Sequence, residues 1–293
     1  MIESNEVVRT HTDFLRILGV SSSMGGNLRG SSHAPLFLKK YLQGHLLWDP
    51  MIHQKEHLSK CAYTSISSLC GHVALRIQAA LQSKNPTLIL GGDHSVAIGT
   101  WQGVSEAKNN NIGLIWIDAH MDAHTPETSD SGNIHGMPLA VLLGYGDKKL
   151  VSGYTLDPKF VYLIGTRSYE APEYAFLKNL GIRIYFIDEV LKAGFREIMR
   201  DVVSHMVKNR KAFGVSLDMD VLDPSIAPGV STPVHTGILL HDLLQGLQGL
   251  KNLSNFIAME IVEYNPFKDI RCKTAHAIQK IIETVYPTIV GRI

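Results

Sequence analysis

Ile112-Gly113-Leu114-Ile115-Trp116-Ile117-Asp118-Ala119-His120-Met121-Asp122 decides the reading of this chain, because six apolar residues run straight into D-A-H-M-D. Such a run predicts a buried strand. A second run, Phe213-Gly214-Val215-Ser216-Leu217, leads into Asp218-Met219-Asp220. Strand side chains alternate with period two. Asp118, His120 and Asp122 are therefore expected to project to one side, and Asp218 and Asp220 likewise. Four carboxylates and an imidazole gathered at the ends of buried strands cannot all stay ionised without cations. A lone Asp after a strand reads as a helix cap; five groups in D-x-H-x-D and D-x-D order point to metal.

Further short apolar runs recur at Phe14–Val20, Thr87–Leu90, Val161–Ile164, Ile182–Ile187 and Phe256–Ile261. Amphipathic stretches such as His72–Gln82 and Phe195–Lys208 lie between them; in the first, Ala74, Leu75, Ile77, Ala80 and Leu81 stand at helical spacing as expected core. Strand and helix in alternation predict an α/β fold, a three-layer α/β/α body with a mostly parallel central sheet. No repeat, low-complexity segment or Pro/Gly-rich linker divides the chain, so residues 1–293 are expected to form a single domain.

Composition narrows the function. A hydrophobic share of 45% suits a packed core rather than disorder. Lys+Arg 28 against Asp+Glu 27, with no basic run or interleaved aromatic stripe, argues against nucleic acid. Cys61, Cys70 and Cys272 form no C-x-x-C pair and are odd in number, which suggests a reducing compartment. The polar start Met1–Thr12 has no apolar signal region, and no apolar stretch has the length of a membrane span. The cytoplasm is the expected location.

In parallel sheets the ligand site lies at the carboxyl ends of the strands. There the chain places Gly91-Gly92-Asp93-His94-Ser95 after Leu88-Ile89-Leu90, the glycines allowing a tight turn that aims His94 over the sheet. Glu260 and Glu263 close the Phe256–Ile261 run, ahead of Tyr264-Asn265-Pro266. Alone, such a His reads as structural and such a Glu as solvated; beside the two acidic clusters, a ligand and a substrate group are the better readings.

Three segments together resemble the ureohydrolases, the arginases, agmatinases and their relatives. They are Gly92-Asp93-His94-Ser95, Asp118-Ala119-His120-x-Asp122 and Ser216-x-Asp218-x-Asp220-x-x-Asp223-Pro224. Gly19-Val20…Gly25…Arg29-Gly30…Pro35 is similar to the family's first loop, and Glu263-Tyr264-Asn265-Pro266 to its E-x-N-P segment. Ser131-Gly132-Asn133-Ile134-His135-Gly136 looks like the arginase version of its loop. The resemblance implies two Mn2+ per subunit. It gives one ion to His94, Asp118, Asp122 and Asp218, and the other to His120, Asp118, Asp218 and Asp220, with Asp118 and Asp218 bridging. It further implies attack on a guanidinium by a hydroxide shared between the ions and oriented by Asp122. Glu263 would hold the guanidinium, and His135 would give or shuttle the proton to the leaving amine. A homotrimer or homohexamer is the implied assembly; the tail Pro287–Ile293 could pack on a neighbour or equally fold back on its own subunit.

The departures from the family pattern fall in the substrate pocket. His124 stands where arginases carry the Asn that meets the substrate α-carboxylate, with Ser129, Ser131 and Asn133 at the neighbouring loop positions. Glu170 replaces the Asp that reads the α-amino group, one methylene longer, and Thr236 stands where Gly is common. L-arginine, cleaved to urea and ornithine, is the expected substrate. A shorter or longer guanidino acid, agmatine or formimidoylglutamate is the alternative within the family. A metallophosphoesterase shares D-x-H, G-D and G-N-x-H elements but begins with D-x-H, and the D-x-D strand has no place in that plan. A non-catalytic regulator on the same fold would be expected to have lost metal ligands, whereas all six positions are filled.

Overall fold

The computed structural model of the chain describes residues 14–44, 46–54, 62–83, 86–251 and 253–287. Each expected apolar run forms a strand within two residues of its predicted limits: β1 Leu15–Ser21, β4 Thr87–Leu90, β5 Ile112–Ile117, β6 Val161–Thr166, β7 Arg183–Phe186, β8 Ala212–Asp218 and β9 Phe256–Val262. Two more, β2 Leu46–Trp48 and β3 Ile52–His53, pair only with β1. Every ladder is parallel, and the order is β2-β1-β4-β9-β8-β5-β6-β7 with β3 also on β1.

Alternation along the strands divides the apolar side chains between two faces. Ile115, Ile117, Val215 and Leu217 meet Leu38, Val202, Leu243 and Ile278. These come from α1 Ala34–Tyr41, α7 Phe195–Lys208, α8 Leu240–Leu247 and α9 Lys273–Val285, and α6 Ile187–Ala193 joins them through Val190. Leu114, Trp116 and Leu163 turn the other way, onto Val73, Trp101, Leu139 and Leu177. Those belong to α2 Ala62–Leu81, α3 Val96–Ala107, α4 Pro138–Leu142 and α5 Ala171–Asn179. The result is the expected three-layer α/β/α body. Each large aliphatic side chain enclosed this way contributes about 1.5–3 kcal/mol relative to exposure. Among the described residues, no helix is long and apolar enough to cross a membrane.

One expectation needs correcting. The helix read over His72–Gln82 begins ten residues earlier, at Ala62, and its buried stripe is Ile66, Leu69, Cys70, Val73, Ile77 and Ala80. Leu75, expected in the core, is 64% exposed. Two residues from both Val73 and Ile77, it sits about 200° round the helix from either. Of the cysteines, Cys70 is buried and its thiol is pushed up to about 12 by that burial, Cys272 is half-buried, and Cys61 lies outside the described residues.

Register sets the stage for the site. Ile117 pairs with Leu217, Leu217 with Ile261, and Ile261 with Leu90, so β5, β8, β9 and β4 end side by side in the middle of the sheet. One residue further on stand Asp118 and Asp218, and just beyond the other two ends stand His94 and Glu263. The connection after β4 must also pass close to the loop after β1. Only a glycine fits at Gly92, since a Cβ there would lie 1.8 Å from the Ser22 carbonyl oxygen.

Candidate metal centre and substrate pocket

The acidic clusters converge through loops rather than through strand alternation, which corrects the sequence reading. β5 stops at Ile117, and Asp118–Asp122 leave the sheet as irregular chain with Asp122 in the left-handed region at φ 51°. Asp220 lies in a single 3-10 turn, Met219–Val221, capped by the Asp218 carboxylate, which accepts the Asp220 N–H at 2.9 Å. Asp tolerates a left-handed backbone because its short side chain bonds locally. Glu263, at φ 62°, has no such excuse, and a buried Glu held in that conformation marks a place where surrounding structure enforces position. Its own N–H is tied to the Gly92 carbonyl at 2.8 Å.

Two compact groups result. His94 Nδ1 lies 2.9 Å from Asp122 Oδ2 and 3.2 Å from both Asp118 Oδ2 and Asp218 Oδ2. His120 Nδ1 lies 3.1 Å from Asp220 Oδ2 and 3.5 Å from Asp118 Oδ1. Asp118 belongs to both groups, one oxygen turned to each. These residues fit metal ions on two grounds. The buried His94 Nδ1 has three carboxylate oxygens around it, yet none in hydrogen-bonding geometry, as a ligand atom aimed at a shared cation would be. The carboxylates also cannot share one charge state. Burial would raise Asp118, but His120 and His94 pull it well below the usual carboxylate range. Burial and the nearby Asp220 and Asp118 push Asp218 well above that range, and burial with Asp118 raises Asp122 to about 6. Added cations would let all of them ionise. Carboxylate and imidazole without thiolate make a dinuclear site for fairly hard divalent ions.

The surroundings hold these candidate ligands in place. Trp116 stacks on His94 with ring centroids 4.1 Å apart and donates its Nε1–H to Asp118 Oδ2 at 2.9 Å. Thr232 Oγ1 donates to Asp220 Oδ2 at 3.1 Å. Asp93, in the G-D-H-S turn, binds the Gly25 N–H and the Ser22 hydroxyl, drawing in the loop after β1, whose Gly25 carbonyl in turn accepts the His135 N–H at 3.0 Å. The Arg167 guanidinium donates to five carbonyls, those of Gly165, Asp220, Val221, Val234 and His235.

A cavity of about 220 Å³ opens over the metal groups. It collects His94, His120, Asp122 and Asp218, the candidate catalytic residues His135 and Glu263, and all five residues expected at the substrate: His124, Ser129, Ser131, Asn133 and Glu170. Asp118 and Asp220 lie behind it, buried. Glu263 Oε1 accepts the His94 backbone N–H at 2.9 Å and meets His135 Nδ1 at 3.1 Å. Burial alone would lower the His135 imidazole, but Glu263 raises it to about 9.

At the outer wall the arrangement differs from the expectation that His124 offers free donors. Its Nε2 lies 2.9 Å from Glu170 Oε2 and 3.3 Å from Glu173 Oε2, and its Nδ1 faces Thr128 Oγ1 at 3.1 Å. Sequence reasoning missed Glu173, which is buried and accepts the backbone N–H groups of Ala123 and Glu170. The signal was available in Glu170-Ala171-Pro172-Glu173, an E-x-x-E helix start with Pro in the first turn. Burial and the adjacent Glu170 push Glu173 up to about 8. Ser168 and Thr232, also on the cavity wall, carried no such signal. Thr236 is exposed and off the cavity, with its backbone left-handed at φ 63°, so its departure from glycine falls on a loop rather than on the pocket wall.

A parallel α/β sheet with paired His/Asp groups at its carboxyl edge defines a dinuclear metal-binding protein. Residues 15–286 match the family model described as the arginase family, and the chain belongs to that family. It is 39% identical over 218 residues to an arginase from Bacillus caldovelox, covering 73% of each chain. The solved structure of arginase from that organism superposes with a TM-score of 0.84 at 33% identity, covering 94% of this chain and 98% of that one. An Entamoeba histolytica arginase solved in complex with L-ornithine gives 0.87 at 27% identity, over 94% and 99%. A formimidoylglutamase from Bacillus subtilis, 23% identical with a TM-score of 0.79 over 95% and 88%, shares the fold.

The His135–Glu263 pair makes a measurable prediction. With Glu263→Gln, burial keeps lowering the imidazole while its main opposing charge is gone, so the His135 pKa should fall from about 9 by about 1–3 units. Proton NMR titration of the metal-stripped protein checks this; a midpoint unmoved by the substitution would mean that Glu263 does not hold the His135 charge.

Proposed function

We propose that this chain is a dimanganese hydrolase that cleaves the guanidinium group of L-arginine to urea and ornithine. The observation that carries the reading is the Glu263 carboxylate, bonded at once to the His94 backbone and to His135 on the wall of one cavity. An anion for the guanidinium, a proton donor and the candidate metal ligands thus meet in a single space. The arginases at 39% identity and at TM-scores of 0.84 and 0.87 support it.

His94, Asp118, Asp122 and Asp218 would hold one ion and His120, Asp118, Asp218 and Asp220 the other. Bound divalent ions supply Lewis acidity and a nucleophile at neutral pH. The residues around them do the rest. A guanidinium is a poor electrophile because its charge is delocalised, so it must be held still; Glu263 accepts its N–H groups and fixes its plane. Asp122 orients the nucleophile. His135 is charged below pH about 9 and gives its proton to the departing amine, which leaves poorly without one.

The outer cavity supports an amino-acid substrate. Ser129 and Ser131 accept the Gly132 and Asn133 N–H groups, and one of the two hydroxyls remains free to donate to an α-carboxylate beside the Asn133 amide. Glu170, held ionised beside a largely protonated Glu173, provides the negative wall for an α-ammonium. That wall disfavours formimidoylglutamate, which would bring a second carboxylate against it. Manganese, rather than iron, cobalt or nickel, is the ion the family resemblance implies. The proposal extends to a cytoplasmic homotrimer or homohexamer, and light scattering that finds a monomer at every concentration would remove that part of it. The tail Pro287–Ile293 falls, beyond Pro287, outside the described residues.

Two experiments test the reading. Elemental analysis should find two ions per chain in the wild type. Asp218→Ala should lose both, because a bridge serves both ions, whereas Asp220→Ala should mainly weaken one; two tight ions in Asp218→Ala would disprove the bridge. A panel of arginine, agmatine, guanidinobutyrate, guanidinopropionate and formimidoylglutamate should show arginine with the highest kcat/KM. Agmatine forgoes the hydrogen bonds to a carboxylate, each worth about 0.5–1.5 kcal/mol at donors that reach water. Agmatine turning over faster than arginine would overturn the substrate, and no turnover of any member would favour a metabolite-binding regulator.

A further inference from the structure

Glu260 is fully buried in the middle of β9, with relative exposure 0%. Its neighbours are neutral donors. Thr100 Oγ1 donates to Oε1 at 2.6 Å, while Trp101 Nε1 and Ser216 Oγ both donate to Oε2, at 3.1 and 2.8 Å. A carboxylate enclosed this way costs stability unless its bonds do something that an apolar residue cannot. The sheet itself sets the contact, since Ser216 and Glu260 are paired across β8 and β9. Trp101 reaches it because β8 carries Gly214, where a Cβ would lie 2.1 Å from the indole ring.

The other side of Ser216 explains the arrangement. Its Oγ lies 3.1 Å from His94 Nε2. A hydroxyl has one proton, and Ser216 gives it to Glu260, whose Oε2 is already fixed as an acceptor by Trp101. Only lone pairs remain for His94, so Nε2 must carry a hydrogen. Nδ1 is then the nitrogen left to meet a cation among Asp118, Asp122 and Asp218. We propose that Glu260 is a positioning residue that, through Ser216, fixes the His94 tautomer and so keeps Nδ1 available as a metal ligand. The inference rests on the metal reading of His94 given above.

What matters here is an acceptor at Oε2 rather than a negative charge. Glu260→Gln can place its amide oxygen toward Ser216 and Trp101 and its NH2 toward Thr100, whose hydroxyl turns to accept. Glu260→Leu has no acceptor, and Ser216→Ala leaves the His94 Nε2–H unpaired. The test is Mn2+ binding, read from the electron paramagnetic resonance of the free ion, alongside thermal melting of the metal-stripped proteins. Outer partners of metal-bound histidines typically govern affinity by about 10–100-fold. Glu260→Gln should therefore bind both ions as the wild type does. Glu260→Leu and Ser216→Ala should each weaken one ion by about 10–100-fold, and their combination should be no weaker than Glu260→Leu alone. Equal losses in Glu260→Gln and Glu260→Leu would overturn the relay, and so would wild-type binding by Ser216→Ala. Should Glu260→Leu fail to fold, the other two variants still decide. Wild-type protein that binds no Mn2+ would refute the metal reading and the relay with it, and is recognisable because no variant is needed to see it.

Discussion

Crowded negative charge is the constraint on which the structure turns. Asp118, Asp122, Asp218 and Asp220 meet at the ends of two buried neighbouring strands, with Glu263 close by. Repulsion among them is contained in three ways. Imidazoles are interleaved, His94 among three of the carboxylates and His120 between Asp118 and Asp220. Local donors are aimed at single oxygens: the Trp116 indole and the His120 N–H at Asp118, and the Thr232 hydroxyl at Asp220. Arg167 adds a full positive charge from behind, but spends its hydrogen bonds on carbonyls rather than on a carboxylate. It can therefore tie the β6 end to the Asp220 turn and the 234–235 loop without competing with cations for the ligands. Burial lowers its pKa and the surrounding aspartates oppose that.

The inner and outer halves of the site are built by different physics. Strand register fixes the inner half, so its ligands depend on hydrogen bonds that run through the whole sheet. The outer half comes from the 124–136 segment and the start of α5, off the sheet and, apart from buried Glu173, largely open to solvent. There His124, Glu170 and Glu173 form one cluster, and the two glutamates divide their charge, Glu170 held low and Glu173 held high. The departures from the family pattern at His124 and Glu170 alter the same hydrogen-bonded unit, so they are one change rather than two independent ones.

Much of this was legible in the sequence because the site is an extension of the strands. The apolar runs located seven strands, and D-x-H-x-D, D-x-D and G-D-H-S located the residues that gather into the two His/Asp groups, because so many carboxylates and imidazoles after neighbouring buried strands share few of the uses that any one of them alone would have. What failed did so for local reasons. β2 and β3 are partly exposed strands of three and two residues, too short to show a period even where, as at Leu46-Leu47-Trp48, every residue is apolar. Period-two alternation was carried past Ile117, where the chain leaves the sheet, and the left-handed turn at Asp122 has no signature beyond the tolerance of Asp for it. Thr232 is linked to Asp220 only through space, and the E-x-x-E start that marks Glu173 as a helix cap says nothing of its reach to His124. Glu260 was seen as a residue near the strand end; its depth and its bond to Ser216 depend on the β8–β9 pairing, which no single strand reveals.

The place of β9 has a consequence for how the molecule comes into being. It is the last strand among the described residues, yet it lies between β4 and β8 in the centre of the sheet. Until it inserts, β2-β1-β4 and β8-β5-β6-β7 are separate sheets, each presenting an open inner edge. Closing them joins residues such as His94 and Glu263, 169 positions apart, which is slow because the chain must order a long loop before any contact rewards it. Without β9 the two part-sheets would keep open inner edges and His94 would stand apart from Asp118 and Asp218, so the candidate metal site is complete only in the closed sheet.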